Sequence, residues 1–372
     1  MAENPLRNLS KFGQSIWLDY ITRSMIKSGE LDKLIENDGI SGMTSNPSIF
    51  HQAMIKSPDY ETALVDLAKS GASTGVIYET LAIEDIQAAA DHLKPIYDQT
   101  KGKDGFISLE VSPELAYDTN ATIEEAKRLW DRVKRPNLMI KVPGTQEGLP
   151  AIETLLAEGL NINITLLFSL DNYAQVREVY MSALESRLKM NKPIDNIASV
   201  ASFFISRIDT QVDKKLNELI QSGTTDAKAL LGKAAVASGK IAYHDFFNDF
   251  NRARFKELKD KGARVQRPLW ASTSTKNPDY SDVLYVEPLI GQDTVNTLPM
   301  KTVDAFRDHG VVQATIEQNL NDAYEALEKI EGLGISMKEV TDKLQKDGVQ
   351  AFIDSWKQLM EGLEEKRISL VG

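Results

Sequence analysis

Short apolar segments alternate with longer segments of helical periodicity along most of the chain, and this alternation most constrains the fold. Most of the apolar segments are uninterrupted, which is typical of parallel strands that are buried on both faces. Repeated strand–helix alternation predicts an α/β fold, and eight units predict a (β/α)8 TIM barrel. The candidate strands are SIWLDY from Ser15, GISGMTSNP from Gly39, GFISLEVSP from Gly105, NLMIKVPG from Asn137, NINITLLFS from Asn161, IASVASFFIS from Ile197, RPLWAST from Arg267 and DVLYVEPLI from Asp282.

The segments between these strands carry helix signals. TIEEAKRLWDRV opens with a potential capping box formed by Thr122 and Glu125, and GTQEGLPAIETLLAEG stops at Gly159. A long amphipathic run extends from Ser206 to about Leu258. An open, doubly wound sheet would share this alternation, but it is expected to show a Gly-rich phosphate turn, and no G-x-G-x-x-G occurs.

The last part of the chain reads as helices only. A capping box begins at Ser336, and VQAFIDSWKQLMEGL has the apolar spacing of a helix. We expect one decorated domain over residues 1–372, with barrel strands between about 15 and 290. C-terminal helices between about 300 and 367 are expected to close one end of the barrel or to cover its mouth.

The composition excludes several classes of function. Lys and Arg total 43 against 54 Asp and Glu, and the net charge of -11 argues against a nucleic-acid partner. Without cysteine there is no thiolate nucleophile, and the four histidines lie far apart in sequence, so we expect no metal site. The sequence shows no secretory signal and no apolar run of membrane-spanning length, so we expect a cytoplasmic protein without a membrane partner.

Polar side chains occur at or just beyond the ends of seven candidate strands. Barrels of this kind carry their reactive groups at the carboxyl ends of the strands, so we expect these side chains to meet at one mouth. In strand order they are Asp19; Thr44, Ser45 and Asn46; Glu110; Lys141; Asn163 and Thr165; Ser202, Phe204 and Arg207; and Ser272, Thr273 and Ser274.

Most of these side chains also have a purely structural interpretation. Asp19 could cap the helix that follows it, and Asn46, which precedes a proline, could form a turn. Glu110 could pair with a nearby cation, and Thr165 is a good strand former. Arg207 in a first helical turn opposes the helix dipole, which hints at an anion nearby.

Lys141 is the hardest residue to explain structurally, since an unpaired ammonium in a buried strand is costly. It could extend to water, or form a buried ion pair with Glu110. Desolvation in general lowers the pKa of lysine side chains, and a neutral amine can attack a ketone to form a Schiff base. Asp19, Glu110 and Thr165 supply the carboxylates and the hydroxyl that such chemistry needs, without a metal or an organic cofactor.

Three segments resemble the transaldolase family, whose fold is a TIM barrel of the class I aldolase type. SGMTSNPSIF is similar to the family's T-[TS]-N-P-S signature, and SVASFFISRID is similar to its Ser-x-Phe-x-x-Arg phosphate segment. LMIKVPGTQEGLPAIETLLAEGLNINITLLFS resembles its Schiff-base lysine segment and the strand after it. The match runs in the right order from about Ser15 to Leu298.

The resemblance implies catalytic roles for four residues. It makes Lys141 the Schiff-base lysine and Asp19 the acid that takes the proton from the substrate hydroxyl during cleavage. It makes Glu110 the acid–base residue, which works through a water with Thr165.

The resemblance also implies binding residues for the sugar and its phosphate. Asn46 and Asn163 match amides that hold the hydroxyls of the dihydroxyacetone unit, whereas Ser202 and Phe204 match residues that line the pocket. Arg207 matches a phosphate ligand, and a guanidinium fork suits that task.

The seventh strand departs from the family pattern. Many transaldolases read Ala-Ser-Phe-Arg-Asn there and bind phosphate with the serine and the arginine, whereas this chain reads ASTSTKNP. Ser272 keeps the serine, and Lys276 is expected to supply the charge, although lysine acts as a point charge rather than a fork.

The resemblance implies a transferase that moves a dihydroxyacetone unit from sedoheptulose 7-phosphate or fructose 6-phosphate to glyceraldehyde 3-phosphate or erythrose 4-phosphate, in the non-oxidative pentose phosphate pathway.

The nearest alternative is a lyase of the fructose 6-phosphate aldolase type. These relatives are much shorter and carry glutamine and tyrosine where this chain has Glu110 and Phe204, which favours transfer. A phosphosugar-binding barrel without covalent chemistry would not need Lys141, Glu110 and Asp19 together. The expected partners are phosphorylated sugars, and the expected assembly is a monomer or a homodimer.

Overall fold

The computed structural model describes residues 4–371 and contains a closed barrel of eight parallel strands, as predicted. Each strand pairs with its neighbours in sequence order, and the last strand pairs with the first to close the barrel. The strands are β1 (Gln14–Leu18), β2 (Ile40–Thr44), β3 (Ile107–Glu110), β4 (Leu138–Pro143), β5 (Ile162–Leu167), β6 (Ser199–Phe204), β7 (Arg267–Ala271) and β8 (Thr294–Leu298).

Helices fill the connections between strands and follow the barrel. They are α1 (Pro5–Asn8), α2 (Arg23–Lys27), α3 (Glu30–Asp38), α4 (Pro47–Lys56), α5 (Glu61–Lys69), α6 (Thr74–Gln99), α7 (Thr119–Val133), α8 (Gly148–Glu158), α9 (Leu170–Lys189), α10 (Ser206–Gln221), α11 (Ala234–Phe250), α12 (Ala253–Lys259), α13 (Met300–His309), α14 (Leu320–Gly332) and α15 (Met337–Val371). The additional helices α13 to α15 are C-terminal, as expected. Within residues 4–371, no helix is long and apolar enough to cross a membrane.

The first seven predicted strands are confirmed, but the eighth is wrong. The run from Asp282 to Ile290 forms turns and a short 3-10 helix, and β8 lies beyond it, so the barrel ends at Leu298 rather than near residue 290. The run is apolar because it is buried against the barrel, with Val286 and Leu289 fully covered. Apolar content alone does not distinguish a buried strand from a buried irregular segment.

Two of the helix predictions need correction. Helix α7 begins earlier than predicted, and Asp118 caps it by accepting a 3.0 Å hydrogen bond from Ala121 N. Thr122 instead donates to Leu115 O, so Thr122 and Glu125 do not form a capping box. The run from residue 206 to 258 is divided among α10, α11 and α12 rather than continuous. The stop at Gly159 is confirmed: it has a φ of 113°, a backbone conformation that glycine adopts without strain.

A buried polar cluster fills the amino-terminal end of the barrel. The Trp17 indole donates to Asp104 Oδ1 at 2.8 Å, and Arg267 donates to Ser15 Oγ at 2.7 Å. A side chain at Gly42 would place its Cβ 2.5 Å from the Trp17 ring, so the close packing of β1 on β2 requires glycine there. Barrels of this kind form their binding sites at the opposite end, where the strands terminate.

Candidate active site

A cavity of about 240 Å³ lies at the carboxyl ends of the barrel strands. The residues predicted for the site line it except Ser45, Glu110 and Asn163. Ser45 donates to Ser108 O instead, whereas Glu110 and Asn163 lie beside the lining residues Lys141 and Ser202. The lining side chains used below are Asp19, Thr44, Asn46, Lys141, Thr165, Ser202, Phe204, Arg207, Ser272, Lys276, Thr297 and Phe352.

Lys141 lies inside the barrel near the end of β4 and is 5% exposed. Its ammonium donates a 3.2 Å hydrogen bond to Ser45 O and lies 3.6 Å from Oε2 of Glu110. Strand register explains this proximity, because Glu110 on β3 is directly beside Lys141, and Asn163 on β5 is beside it on the other side. Lys141 therefore does not reach water from a strand edge.

Glu110 is buried with little polar compensation. Neither of its carboxyl oxygens has a hydrogen bond within the described part of the chain. Burial raises the pKa of Glu110 to about 7, although the charge of Lys141 opposes this shift. Tyr78 and Trp356 lie around the carboxyl and form part of its apolar surroundings. A carboxyl with this pKa is present in both protonation states at neutral pH, as an acid–base group requires.

Asp19 follows β1 at the mouth of the barrel. Thr44 donates a 2.7 Å hydrogen bond to Asp19 Oδ1, and the Thr44 hydroxyl is 2.9 Å from that of Thr297. Burial raises the pKa of Asp19, and Lys141 and the Thr44 hydrogen bond oppose the shift. The following helix α2 is capped by Thr22 rather than by Asp19, so the structural interpretation of this aspartate is wrong.

Thr165 lies at a strained end of β5. Its hydroxyl is fully buried, borders the cavity and has no hydrogen-bond partner among residues 4–371. The next residue, Leu166, has a φ of 62°, and the pairing of β5 with β6 is irregular at this point. Such strain and irregular pairing are concentrated at functional sites, where they redirect side chains.

The two asparagines differ in their contacts. Asn46 accepts a 3.0 Å hydrogen bond from Ile49 N, which caps α4, and it also lines the cavity, so its structural and functional interpretations coexist. Asn163, on β5, bridges β3 and β6: it donates to Ser108 Oγ at 3.0 Å and accepts from Ser202 Oγ at 2.7 Å. Asn163 thus orients Ser202, which does border the cavity.

Two cations, Arg207 and Lys276, lie at the other side of the cavity. Arg207, in the first turn of α10, lies 5.4 Å from the ring centroid of Phe204, and Lys276 follows β7. Over the residues that the structure describes, neither cation forms an ion pair with a carboxylate. Burial lowers the pKa of both groups, and the charge of Arg207 lowers that of Lys276 further. Two adjacent positive charges of this kind favour an anionic ligand.

Two tyrosine–aspartate hydrogen bonds, neither of which was predicted from the sequence, fix the segment that carries Lys276 against the helix that carries Arg207. The segment that carries Lys276 also carries Tyr280 and Tyr285. Tyr285 donates to Asp209 at 2.9 Å and Tyr280 donates to Asp213 at 2.7 Å. Both aspartates belong to α10, so the β7–β8 segment is fixed against the helix that carries the arginine.

Ser272 connects the same two elements. It has a φ of 54°, its carbonyl accepts from Ser206 N at 3.0 Å, and its hydroxyl is 3.0 Å from that of Ser206. The backbone therefore turns sharply after β7, and this turn is hydrogen-bonded to the first residue of α10.

Two further residues that line the cavity, Thr297 and Phe352, were not predicted from the sequence. Thr297 belongs to β8, which was placed too early in the sequence. Phe352 comes from α15, where helical spacing indicated only a buried face; its ring centroid lies 5.4 Å from Lys141 Nζ. Within residues 4–371, no three histidine, aspartate or glutamate side chains converge as a metal ion would require.

A closed (β/α)8 barrel with a lysine and two carboxyl groups at one mouth defines a TIM-barrel enzyme. The chain matches the family model described as Transaldolase/Fructose-6-phosphate aldolase over residues 16–363. It is 45% identical over 374 residues to Transaldolase 2 of Nostoc punctiforme, with 98% of each chain covered. It is 44% identical over 366 residues to Transaldolase of Mycobacterium marinum, with 98% of this chain and 97% of the relative covered. It is 46% identical over 357 residues to Transaldolase of Thiobacillus denitrificans, with 96% and 99% covered. The chain belongs to the Transaldolase/Fructose-6-phosphate aldolase family, which confirms the resemblance.

Proposed function

We propose that the chain is a transaldolase, which transfers a dihydroxyacetone unit from a ketose phosphate to an aldose phosphate through a Schiff base on Lys141. The relatives that carry this name match nearly the full length of the chain. The observation that carries the assignment of roles is the 3.6 Å approach of Lys141 to the buried carboxyl of Glu110. A purely structural ion pair would leave the carboxyl's missing hydrogen bonds unexplained.

Schiff-base formation uses Lys141, Glu110 and Thr165. The Lys141 ammonium gives a proton to the carboxylate form of Glu110, and the neutral amine attacks the ketone carbon. The resulting carbinolamine loses its hydroxyl as water after Glu110 returns that proton to it. The Thr165 hydroxyl borders the cavity with no other partner in the described chain, so it is available to hold the water that relays this proton. The product is a protonated imine, which withdraws electrons from the adjacent carbon–carbon bond.

Cleavage and transfer use Asp19. Its carboxylate removes the proton from the substrate hydroxyl, the carbon–carbon bond breaks, and the electron pair moves into the imine to give an enamine on Lys141. The aldose phosphate leaves and a second one enters. The enamine carbon attacks its aldehyde, Asp19 returns the proton, and water hydrolyses the imine. Asn46 and Ser202, which line the cavity, and Asn163 behind Ser202 are assigned to hydroxyl recognition.

The phosphate is assigned to Arg207, Lys276 and Ser272. Arg207 and Lys276 have no carboxylate partner among the described residues, and both border the cavity with Ser272. Phe204 lies against the guanidinium and limits its directions. Lysine therefore takes the place that arginine holds in many relatives after the seventh strand.

Reductive trapping tests the covalent assignment. With fructose 6-phosphate and borohydride, the imine is reduced to a stable amine, and we expect peptide mass spectrometry to find the added mass on Lys141 alone. A label on another residue, or no label, would contradict the proposal.

An assay with and without erythrose 4-phosphate separates transfer from cleavage, because rapid release of dihydroxyacetone without the acceptor would identify a lyase.

Arg207→Ala is expected to raise the KM for fructose 6-phosphate by roughly 10- to 100-fold, because a charge-assisted hydrogen bond contributes about 1.5–3 kcal/mol. The KM for unphosphorylated dihydroxyacetone as donor should stay within about twofold, since that molecule lacks the phosphate. Arg252, an exposed arginine between α11 and α12, provides the matched control, and Arg252→Ala should change neither constant. Equal effects of Arg207→Ala on both donors would remove Arg207 from phosphate binding.

A further inference from the structure

Helix α15 lies across the mouth of the barrel. Its 35 residues give it a length of about 52 Å, enough to cross the barrel from one side to the other. At one point it is fixed to the ends of β4 and β5, where Gln345 donates to Gly144 O at 3.0 Å and to Leu166 O at 3.2 Å. Further along, Ser48 on α4 donates to Ser355 at 2.9 Å. The helix is therefore anchored on both sides of the cavity.

Gln345 of α15 contacts Leu166 at the strained end of β5. The carbonyl of Leu166 lies where the β5–β6 pairing is irregular, and Gln345 supplies a donor to it. Helix α15 also approaches Leu166 closely at Gly348, where a Cβ would lie 3.1 Å from the Leu166 side chain. The position of α15 is thus coupled to the strand that carries Thr165.

Two aromatic residues on α15 face the reactive groups. Phe352 and Trp356 are four residues apart and so lie on the same face of the helix. Phe352 is 8% exposed and lies over the Lys141 ammonium at 5.4 Å from its ring centroid. Trp356 borders the small cavity beside Glu110 and is held edge-on by Tyr78 at a centroid distance of 4.7 Å.

We propose that Phe352 is a residue of the reaction site whose ring covers the Lys141 nitrogen, shields the enamine from water, and so determines whether the dihydroxyacetone unit is transferred or released. This inference rests on the proposed Schiff-base function. Release needs a proton from water on the enamine carbon, which regenerates the imine, and then a second water that hydrolyses the imine to dihydroxyacetone and the free amine. Transfer needs neither step before the acceptor binds, so excluding water favours transfer.

The Phe352 ring also stabilises the positive charge that develops on the Lys141 nitrogen during imine formation. The nitrogen of the protonated imine carries a positive charge, and an aromatic face within about 6 Å stabilises a cation. The stabilisation is lost when the electron pair of the broken bond neutralises the nitrogen. The ring thus assists imine formation and, through exclusion of water, the survival of the enamine, and these two effects can be separated by substitution.

The experiment measures a ratio of two rates. One is the release of dihydroxyacetone from fructose 6-phosphate without an acceptor, and the other is the formation of sedoheptulose 7-phosphate with erythrose 4-phosphate. In Phe352→Ala we expect the ratio of release to transfer to rise about tenfold or more, because the cover over the enamine is removed. In Phe352→Leu, which keeps an apolar cover, the ratio should change much less, while imine formation slows.

Leu359→Ala provides the control, because Leu359 is a fully buried residue of the same helix and does not border the cavity. Its ratio should match the parent enzyme even if its stability falls. An unchanged ratio in Phe352→Ala, or an equal rise in Leu359→Ala, would overturn the proposal. Borohydride trapping of the parent distinguishes this failure from that of the proposed function: without an adduct on Lys141 the function itself fails, whereas with an adduct and an unchanged ratio only the role of Phe352 fails.

Discussion

Replacing Lys141 with methionine is expected to abolish transfer while leaving the protein at least as stable as the parent. Without the amine no Schiff base forms, and loss of a covalent nucleophile costs roughly 10⁴-fold or more in kcat. The ammonium is buried with one carbonyl hydrogen bond, a carboxyl at 3.6 Å and the Phe352 ring centroid at 5.4 Å, contacts that offset only part of the cost of its desolvation. Replacing a whole buried ion pair with apolar side chains is often neutral or stabilising by about 1–4 kcal/mol, whereas removing one partner is strongly destabilising when the other stays charged.

In Lys141→Met, the carboxyl group of Glu110 does not remain as an unpaired buried charge. The positive charge of Lys141 lowers the pKa of Glu110, so removing it raises that pKa above its present value of about 7 and leaves the carboxyl protonated at neutral pH. The thermal midpoint of Lys141→Met at neutral pH should therefore equal or exceed that of the parent. A midpoint several degrees lower would show that Lys141 serves the fold rather than the chemistry.

Lys240 supplies a matched control, since it is the other buried lysine among residues 4–371. It lies on α11, is 8% exposed, and donates to Thr315 O at 2.7 Å and Gln318 O at 2.6 Å. Its ammonium therefore links the helix to the segment before α14. Lys240→Met should lower the thermal midpoint, because two carbonyls lose their donor, and should leave kcat close to that of the parent. The substitutions Lys141→Met and Lys240→Met are thus expected to have opposite effects on the thermal midpoint and on kcat.

The sequence predicted those parts of the site that depend on strand position. Glu110, Lys141 and Asn163 lie on consecutive parallel strands, so their order in the chain becomes their order around the barrel. Asp19, Asn46 and Arg207 follow strands directly and reach the same cavity for the same reason. Where the place of a residue in the site depends only on which strand it ends, the local sequence pattern is sufficient to predict that place.

The parts that depend on distant packing were not predictable in this way. The eighth strand, Thr294–Leu298, carries polar residues whose partners come from elsewhere: Gln14 donates to Thr294 at 3.0 Å. Its sequence therefore looks less apolar than the irregular segment before it. Phe352 is separated from Lys141 by more than half of the chain, and helical spacing shows which face of α15 is buried but not against what. Asn46 illustrates a different limit, because one side chain both caps a helix and lines the cavity.

Glu110→Gln is expected to lower kcat by roughly 10²- to 10⁴-fold, the usual contribution of a positioned acid–base group. Glutamine keeps the shape of the side chain and removes the proton that the carbinolamine hydroxyl needs in order to leave. Because burial raises the pKa of Glu110 to about 7, the parent's kcat/KM should show an ionisation near neutral pH that is absent in the variant. An unchanged pH profile would assign that ionisation to another group.

The same ionisation has an effect on stability with a definite sign. The folded protein holds the Glu110 proton up to about pH 7, whereas the unfolded chain releases it near 4.5, so the folded state binds more protons between these values. The parent therefore loses stability as pH rises through this window, and Glu110→Gln does not. The difference in the free energy of unfolding between variant and parent should grow in favour of the variant from about pH 4.5 to 7 and then level off. A constant difference across the window would contradict the raised pKa.

Asp19→Asn separates the two carboxyl groups by the step that each serves. If Glu110 acts in imine formation and Asp19 in carbon–carbon cleavage, Glu110→Gln should slow borohydride trapping with dihydroxyacetone, whereas Asp19→Asn should trap at nearly the parent rate. Both variants should lose transfer from fructose 6-phosphate, by about 10²-fold or more in each case. The asparagine can still accept the Thr44 hydrogen bond of 2.7 Å, so the local structure is retained. If both variants slow trapping equally, the carboxyls act as one group, and the division of labour between them is wrong.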